Sequence, residues 1–371
     1  MNTSEIQRMM DMGGFVEIPE GVHELESPLL LRTSGLYLRV NPRAILVRKG
    51  RFANLLKTSE EATGYNGVCD VTIEGGVWHH NGSEIDASGT AINFGHCTNI
   101  TIRNIIVLDV HRNHAVEANS SKKVRLLNCM FDGQVGEPRK SEAFQIDGAF
   151  RPSVFPHHGI YDYTSCKDVL VEGCQFINWS RGIGSHSYEK GHEHKDIKII
   201  GNHFETIYDE GVRALGYNGL IITGNTFYNC STGIKVEHSE VCSISSNTIQ
   251  NSAQNGISLY NDNEQITVNG NNMRNCGGQG ISLYNNSNNT SIVGNTIQDF
   301  GQYGIVINAS HYNMIDGNII NSYKSKGKKN AGIRITKWSS NNTIGINQVK
   351  GISPPLSFSS TAYKNEVIHD D

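Results

Sequence analysis

No run of eighteen apolar residues occurs anywhere in the 371-residue chain, which predicts that no helix of it spans a membrane. Lysine and arginine are mostly spread along the chain, and the net charge is −4, so no electrostatic footprint of a nucleic-acid-binding protein is visible. Proline is scarce, at 8 residues. The opening MNTSEIQRMMDMGG has neither a basic n-region nor an apolar h-region, so it does not read as a signal peptide. It reads as a short amphipathic helix with Ile6, Met9 and Met10 on one face and Asn2, Thr3 or Ser4 as N-cap. The 8 cysteines show no metal-binding spacing. Cys129 and Cys174 hold equivalent places in NCMF and GCQF, as roughly do Cys230 and Cys276, and all four read as stacked buried thiols.

Glycine, in contrast, is abundant at 39 residues, and Asn follows a Gly or Ser again and again. Short apolar runs lie between these residues, so they mark recurrent tight turns rather than disorder. One phrase returns along the chain. It is AINFGHC from Ala91, AVEANSS from Ala115, AFQIDGA from Ala143, GIGSHSY from Gly182, GVRALGY from Gly211 and GIKVEHS from Gly233. It continues as GISLYN from Gly256 and again from Gly280, GIVINAS from Gly304 and GIRITKW from Gly332. The steps are 24, 28, 39, 29, 22, 23, 24, 24 and 28 residues. A second phrase keeps pace with it, as GNHF, GNTF, SNTI, GNNM, GNTI and GNII, and its Asn (Asn202, Asn225, Asn247, Asn271, Asn295, Asn318) suits a turn in αL geometry.

A period near 23 residues with three short Ile- and Val-rich strands makes one turn of a parallel β-helix. The Leu-x-x-Leu-x-Leu pattern of leucine-rich repeats is missing. The two GISLYN copies are one strand in successive coils. Ile257 and Ile281 point inward, and Ser258, Tyr260, Ser282 and Tyr284 outward, because successive side chains alternate faces. The fold class is therefore all-β, a single-stranded parallel β-helix of about 10–12 coils. A helical cap over residues 1–14, the helix over 15–350 and a tail over 351–371 complete the layout.

The opening GGFVEIPEGVHELESPLLLRTSGLYLRVNPRAILV, with its IPEG, and the coils after it resemble the pectate-lyase-like right-handed parallel β-helix superfamily over nearly the whole chain. That resemblance implies a right-handed helix and a kinship with polygalacturonase-like enzymes and phage tailspike depolymerases. The fold hosts hydrolases, lyases, epimerases and passive adhesins, so function rests on the outward columns. The first of these reads Asn93, Glu117, Gln145, Gly184, Arg213, Lys235, Ser258, Ser282, Val306, Arg334. The second reads Gly95, Asn119, Asp147, His186, Leu215, Glu237, Tyr260, Tyr284, Asn308, Thr336. Where the strand leaves its turn stand His114, Glu142, Arg181, Glu210, Thr232, Asn255, Gln279 and Tyr303. Ionisable residues crowd residues 115 to 237, and the columns then turn neutral.

The same stretch carries the two longest insertions, GAFRPSVFPHHGIYDYTS and SYEKGHEHK. Insertions on a solenoid gather on one face, often the binding face. These are expected to wall a groove and to offer Phe150, Phe155, Tyr161, Tyr163 and Tyr188 to sugar rings. Glycoside hydrolysis needs one carboxylic acid and one carboxylate. Glu142, Asp147 and Glu210 are the expected acid and base, with His186 tuning Asp147. Glu117 and Asp147, roughly 8 Å apart by strand and coil spacing, lean towards inversion. Glu117, Arg181, Arg213, Lys235, Glu237, His158, Tyr161, Tyr188 and Tyr260 are expected to bind substrate. No metal ligand set is expected; His192 and His194 read as loop residues rather than partners of His186 or His157 around an ion.

Measured against polygalacturonase motifs, SEAFQID (Glu142) resembles Asn-Thr-Asp, and YDEGVRA (Asp209, Glu210) resembles Gly-Asp-Asp. GIGSHS (His186) is a displaced relative of Gly-His-Gly, and GVRA (Arg213) or GIKV (Lys235) of Arg-Ile-Lys. Arg181 and His186 intervene between the acidic coils, which argues against galacturonide and for a bacterial surface or extracellular glycan. The resulting expectation is a polysaccharide hydrolase that needs no cofactor. A lyase acting on a uronic-acid glycan, with Ca²⁺, is the first alternative, and a non-catalytic tail-fibre or adhesin module the second. Extracellular or virion placement, with homotrimerisation or attachment to a phage tail, accompanies the resemblance.

Overall fold

The computed structural model describes residues 1–58, 61–137, 141–155, 160–322 and 331–368. Its contacts divide the chain into two units, Met1–His203 and Phe204–Asp371. Each is a right-handed parallel β-helix in which every coil lays short strands onto the same columns.

The first unit opens with the helix Thr3–Met12. Asn2 caps it: its side chain accepts from the Glu5 amide at 2.9 Å while the Glu5 carboxylate accepts from the Asn2 amide at 2.9 Å, a reciprocal box that satisfies two orphan donors. Ile6 and Met10 are buried. One column of seven parallel strands then runs from Phe15–Ile18 through Thr98–Arg103 and Lys122–Leu127 to His194–Ile200. The column that carries the site contains Ile92–Gly95, Val116–Asn119, Glu142–Gln145 and Arg181–Gly184. Ile92, Val116, Phe144 and Ile183 stand in register and are wholly buried.

The second unit repeats the plan more regularly. Seven strands from Tyr217–Asn218 to Glu366–Val367 form one column. Ile234, Ile257, Ile281, Ile305 and Ile333 stack in register along another, so the inward reading of GISLYN holds. The two units carry seven such rungs each, fourteen against the ten to twelve expected, and strands continue past residue 350 as Leu356–Phe358 and Glu366–Val367.

The glycine that opens each repeat is there for close approach, not for a turn. A Cβ on Gly256 would lie 2.6 Å from the Gly280 carbonyl oxygen, and one on Gly280 equally close to that of Gly304. The recurring Asn also differs from expectation. The αL residue is the one before it, with φ 63° at Gly270, 66° at Gly294 and 56° at Ser246. This frees the Asn side chain to bond upward. Asn225, Asn247, Asn271, Asn295, Asn318 and Asn347 form a buried ladder in which each amide nitrogen donates to the next amide oxygen at 2.8–3.0 Å. All eight cysteines are free and seven are buried, and the Cys129 amide donates to Cys174 Sγ at 3.4 Å.

Candidate functional site

Three neighbouring strands of the first unit bring a charged cluster together, because in-register coils place Glu117 beside Gln145 and Glu142 beside Arg181. Glu142 is its centre and is wholly buried. His186 Nε2 lies 2.5 Å from Glu142 Oε2, and Arg181 Nη1 lies 3.3 Å from Oε1. His114 Nδ1 sits 2.9 Å from the Glu142 carbonyl oxygen. That oxygen can only accept, so Nδ1 carries the proton and Nε2 keeps its lone pair. His114 Nε2 is 3.5 Å from Glu117 Oε1, and the Asn93 amide donates to Glu117 Oε2. One ligand-capable atom from each of His114, Glu142 and His186 lies within 4.8 Å of the others.

Asp147 follows the strand and is also wholly buried. Its Oδ2 accepts from Gln145 Nε2 and from the His186 amide, both at 2.9 Å. Its Oδ1 has no hydrogen-bond partner among the described residues.

These surroundings separate the carboxylates. Burial opposes ionisation of Glu142, but His186, His114 and Arg181 outweigh it and hold the group at about 2. Burial pushes Glu117 up to about 7, against a hydrogen bond from Thr90. Asp147 likewise rises to about 7 through burial, with His186 opposing. Burial, and then the charge of His186, lowers His114 to about 3. His186 also loses by burial, but its contact with Glu142 raises it overall. One ionised carboxylate and two carboxyls raised to about 7 beside an imidazole form a set able to give and to take a proton near neutrality.

The second unit holds its own cluster. Lys235 Nζ lies 3.2 Å from Glu237 Oε2 and 3.8 Å from Glu210 Oε1, while Arg213 Nε reaches Glu237 Oε2 at 3.1 Å. The Lys235 ammonium also stands 5.5 Å over the Tyr260 ring. Tyr260 and Tyr284 are in register, half-buried, with ring centroids 6.2 Å apart. Beyond Tyr284 the same column continues with Asn308 and then Thr336, so the aromatic pair ends in a step down to small polar side chains.

The expected residues thus gather as Glu117, Glu142, Asp147, Arg181 and His186 in one unit and Glu210, Arg213, Lys235, Glu237 and Tyr260 in the other. Several details are corrected. Asn93, Glu117, Gln145 and Asp147 were expected on an outward face, yet all are buried among hydrogen-bonding partners. Phe150 and Phe155 are buried and offer no surface to sugars. The described residues of the insertion, 148–155 and 160–165, are tied to neighbouring coils. Ser120 Oγ accepts from the Ala149 amide and donates to the Thr164 carbonyl, the Gly64 amide donates to Asp162 Oδ2, and the Tyr65 hydroxyl donates to the Ser165 carbonyl. Tyr161 is tied to it, its hydroxyl 3.4 Å from the Phe155 carbonyl. Tyr188 is half-buried. His194 is no surface loop residue: it is buried, and its Nδ1 accepts from the Cys166 amide at 3.0 Å. His157 and His158 lie outside the described residues. The residue missed is His114. It stands one coil before Glu142 at the same place in the repeat, and that alignment was the available signal.

A family model described as periplasmic copper-binding protein (NosD) matches residues 167–366. Plasmin and fibronectin-binding protein A of Streptococcus pneumoniae (strain ATCC BAA-255 / R6) is 26% identical over 263 residues, 62% of this chain and 36% of that protein. The chain therefore spans little more than a third of this relative. Among solved structures, the S. pneumoniae surface adhesin PfbA aligns with a TM-score of 0.74 at 19% identity, over 86% of this chain and 91% of the other. The Dettilon tailspike protein aligns with a TM-score of 0.54 at 13% identity, over 98% of this chain and 64% of that one. A periplasmic alginate epimerase aligns with a TM-score of 0.50 at 14% identity, over 96% and 84%. At these identities the shared property is the fold.

Proposed function

The chain belongs to the family described as periplasmic copper-binding protein (NosD), and from that premise and the site geometry we propose that it is an extracytoplasmic glycan-binding β-helix. The observation that carries this reading is the step at Tyr284. A half-buried aromatic ring beside Tyr260 stands next in its column to Asn308, which puts an apolar surface beside hydrogen-bonding groups. Ligand sites combine apolar or aromatic surface with a few placed polar groups in this way. Lys235 and Arg213, held by Glu210 and Glu237, supply fixed donors on the same face. A binding role at a surface also accords with relatives named as a surface adhesin and a tailspike. Among the described residues no helix is long and apolar enough to cross a membrane.

A glycan-processing enzyme is the second reading, favoured by the pairing of ionised Glu142 with Asp147 and Glu117, both raised to about 7, in the first unit. Calorimetry with capsular and cell-wall oligosaccharides, followed by mass spectrometry of the ligand, separates the two. The binding reading expects an intact ligand and an affinity that falls about tenfold in Tyr284→Ala, or roughly 1.4 kcal/mol. Shortened or epimerised product, abolished in Asp147→Asn, would favour the enzyme. Equal affinity in wild type and Tyr284→Ala sinks the role given to this surface.

A further inference from the structure

The family description implies copper, yet the matched residues 167–366 include only His186 of the one histidine–carboxylate cluster that the described residues bring within ligating distance. We infer that His114, Glu142 and His186 form a site for one divalent first-row transition-metal ion of the copper or zinc class.

The donor set fits such an ion. Two imidazoles and one carboxylate suit copper and zinc, whereas calcium and magnesium call for oxygen ligands throughout. The three ligand atoms lie within 4.8 Å of one another, so a small inward shift of the side chains brings all three onto one ion at about 2.0–2.2 Å per bond.

The supporting contacts are those of a built site. His114 donates Nδ1–H to the Glu142 carbonyl at 2.9 Å, so its free lone pair is on Nε2. A metal-ligating histidine characteristically has its other nitrogen fixed by a carbonyl or carboxylate in this manner. Arg181 holds Glu142 Oε1 at 3.3 Å, which orients the carboxylate and leaves Oε2 for the ion. Glu142 Oε2 is buried and is met by His186 Nε2 at 2.5 Å.

His186 is the movable ligand. Its side chain is 32% exposed, so the ring can draw back to admit an ion, and solvent can reach the remaining coordination positions. Ligation through Nε2 requires the proton on Nδ1. Gln145 Nε2 lies 3.2 Å from that nitrogen, and the buried Gln145 Oε1 has no hydrogen-bond partner among the described residues. A half-turn of the amide supplies the acceptor that the new tautomer needs, at the cost of the Gln145 Nε2 bond to Asp147 Oδ2. The ion takes the place of the proton between His186 and Glu142. The positive charge of Arg181 opposes binding and makes the site selective for ions that bond imidazole strongly.

The test is titration of metal-free, full-length protein with Cu²⁺, Zn²⁺ and Ca²⁺ by calorimetry, together with electron paramagnetic resonance of the copper form. One tight equivalent of Cu²⁺ per chain, hyperfine coupling to two imidazole nitrogens and no Ca²⁺ binding are expected. His186→Ala, which empties a partly exposed position and so keeps the fold, should lose at least about 10-fold in affinity, the scale already reached by outer-shell changes, and one nitrogen coupling. His192→Ala, at an exposed histidine, should change neither. Unaltered affinity in His186→Ala, binding without nitrogen coupling, or preference for Ca²⁺ would overturn the assignment. Tyr284→Ala should bind copper as wild type does, so the metal and glycan proposals fail separately.

Discussion

Asn271 Nδ2 donates to Asn295 Oδ1 at 3.0 Å, and the two residues occupy one position in consecutive coils. Asn271 Oδ1 in turn accepts from both the backbone amide and the side-chain nitrogen of Asn247 at 3.0 Å, while its Nδ2 also reaches the Ile244 carbonyl at 2.9 Å. Every donor and acceptor of a buried amide is thus used within the ladder. Asn271→Ala leaves several buried groups unpaired, at about 1–3 kcal/mol for each. The expected loss is about 2–4 kcal/mol, read from the urea midpoint. Asp should not rescue it, since an ionised carboxylate cannot donate.

Gly280 and Gly270 are glycines for different reasons, and substitution should tell them apart. A Cβ on Gly280 meets Ile297 Cγ2 at 2.5 Å and the Gly304 carbonyl oxygen at 2.6 Å. Gly270 has φ +63° and nothing within 4 Å of the Cβ position. Gly270→Ala should cost about 1 kcal/mol of left-handed backbone strain. Gly280→Ala should cost more, about 1–3 kcal/mol of overpacking, because both neighbours belong to the packed interior. Chemical denaturation of the two variants side by side checks the ranking, and equal losses would refute the close-approach account.

Much of this architecture was readable from the chain. A coil of fixed circumference returns to the same column after a fixed number of residues, so GISLYN repeats 24 residues apart and Ile257 lands on Ile281. Longer steps did not hide the register, since the added residues leave the strand column intact: Glu142 still meets Arg181 across the 39-residue step. What alternation could not give was burial. Glu117 and Gln145 alternate outward as expected, yet partners from adjacent coils enclose them, and that depends on side chains distant in sequence. The path of the 148–165 insertion was equally illegible, because its anchors, Gly64, Tyr65 and Ser120, lie on other coils. His114 stands in the same alignment one coil before Glu142, but its tie to that residue runs through a backbone carbonyl, which no residue pattern displays.

Acid should weaken the fold through two histidines outside both candidate sites. His80 Nε2 donates to the Ala53 carbonyl at 2.7 Å, and burial, then Arg48, lowers the group to about 4. His194 Nδ1 accepts from the Cys166 amide at 3.0 Å, and burial lowers it to about 3. Both folded values fall below the ordinary 6.5, so the unfolded chain takes up protons first. Their contribution is complete above about pH 6.5 and is lost as pH falls towards 4 and then 3. Melting temperatures between pH 7 and pH 4 should drop, by a few kcal/mol in stability terms. His80→Gln should start lower at pH 7 and show a shallower slope; an unchanged slope would remove His80 from this account.

Lys235→Met separates recognition from stability on the face proposed to bind glycan. The side chain of Lys235 is one-quarter exposed and pairs with Glu237 and Glu210. Partly solvated ion pairs contribute little, about 0–1 kcal/mol, and Glu237 keeps its contact with Arg213 at 3.1 Å. Methionine preserves most of the stem that carries the ammonium over Tyr260, so the packing of the Tyr260–Tyr284 pair should persist. The melting temperature is therefore expected to move by only a few degrees. Glycan affinity should fall further, by about tenfold, because a fixed ammonium donor leaves the aromatic surface and the carboxylates beside it lose a positive partner. The loss should be larger for ligands bearing carboxylate or sulfate groups, and raised salt should shrink that difference, since screening acts on charge and not on the aromatic contact. Calorimetry with matched neutral and acidic oligosaccharides reads both effects. Parallel losses of stability and affinity would make Lys235 a structural ion-pair partner alone, and the tyrosine step would then have to recognise glycan without it.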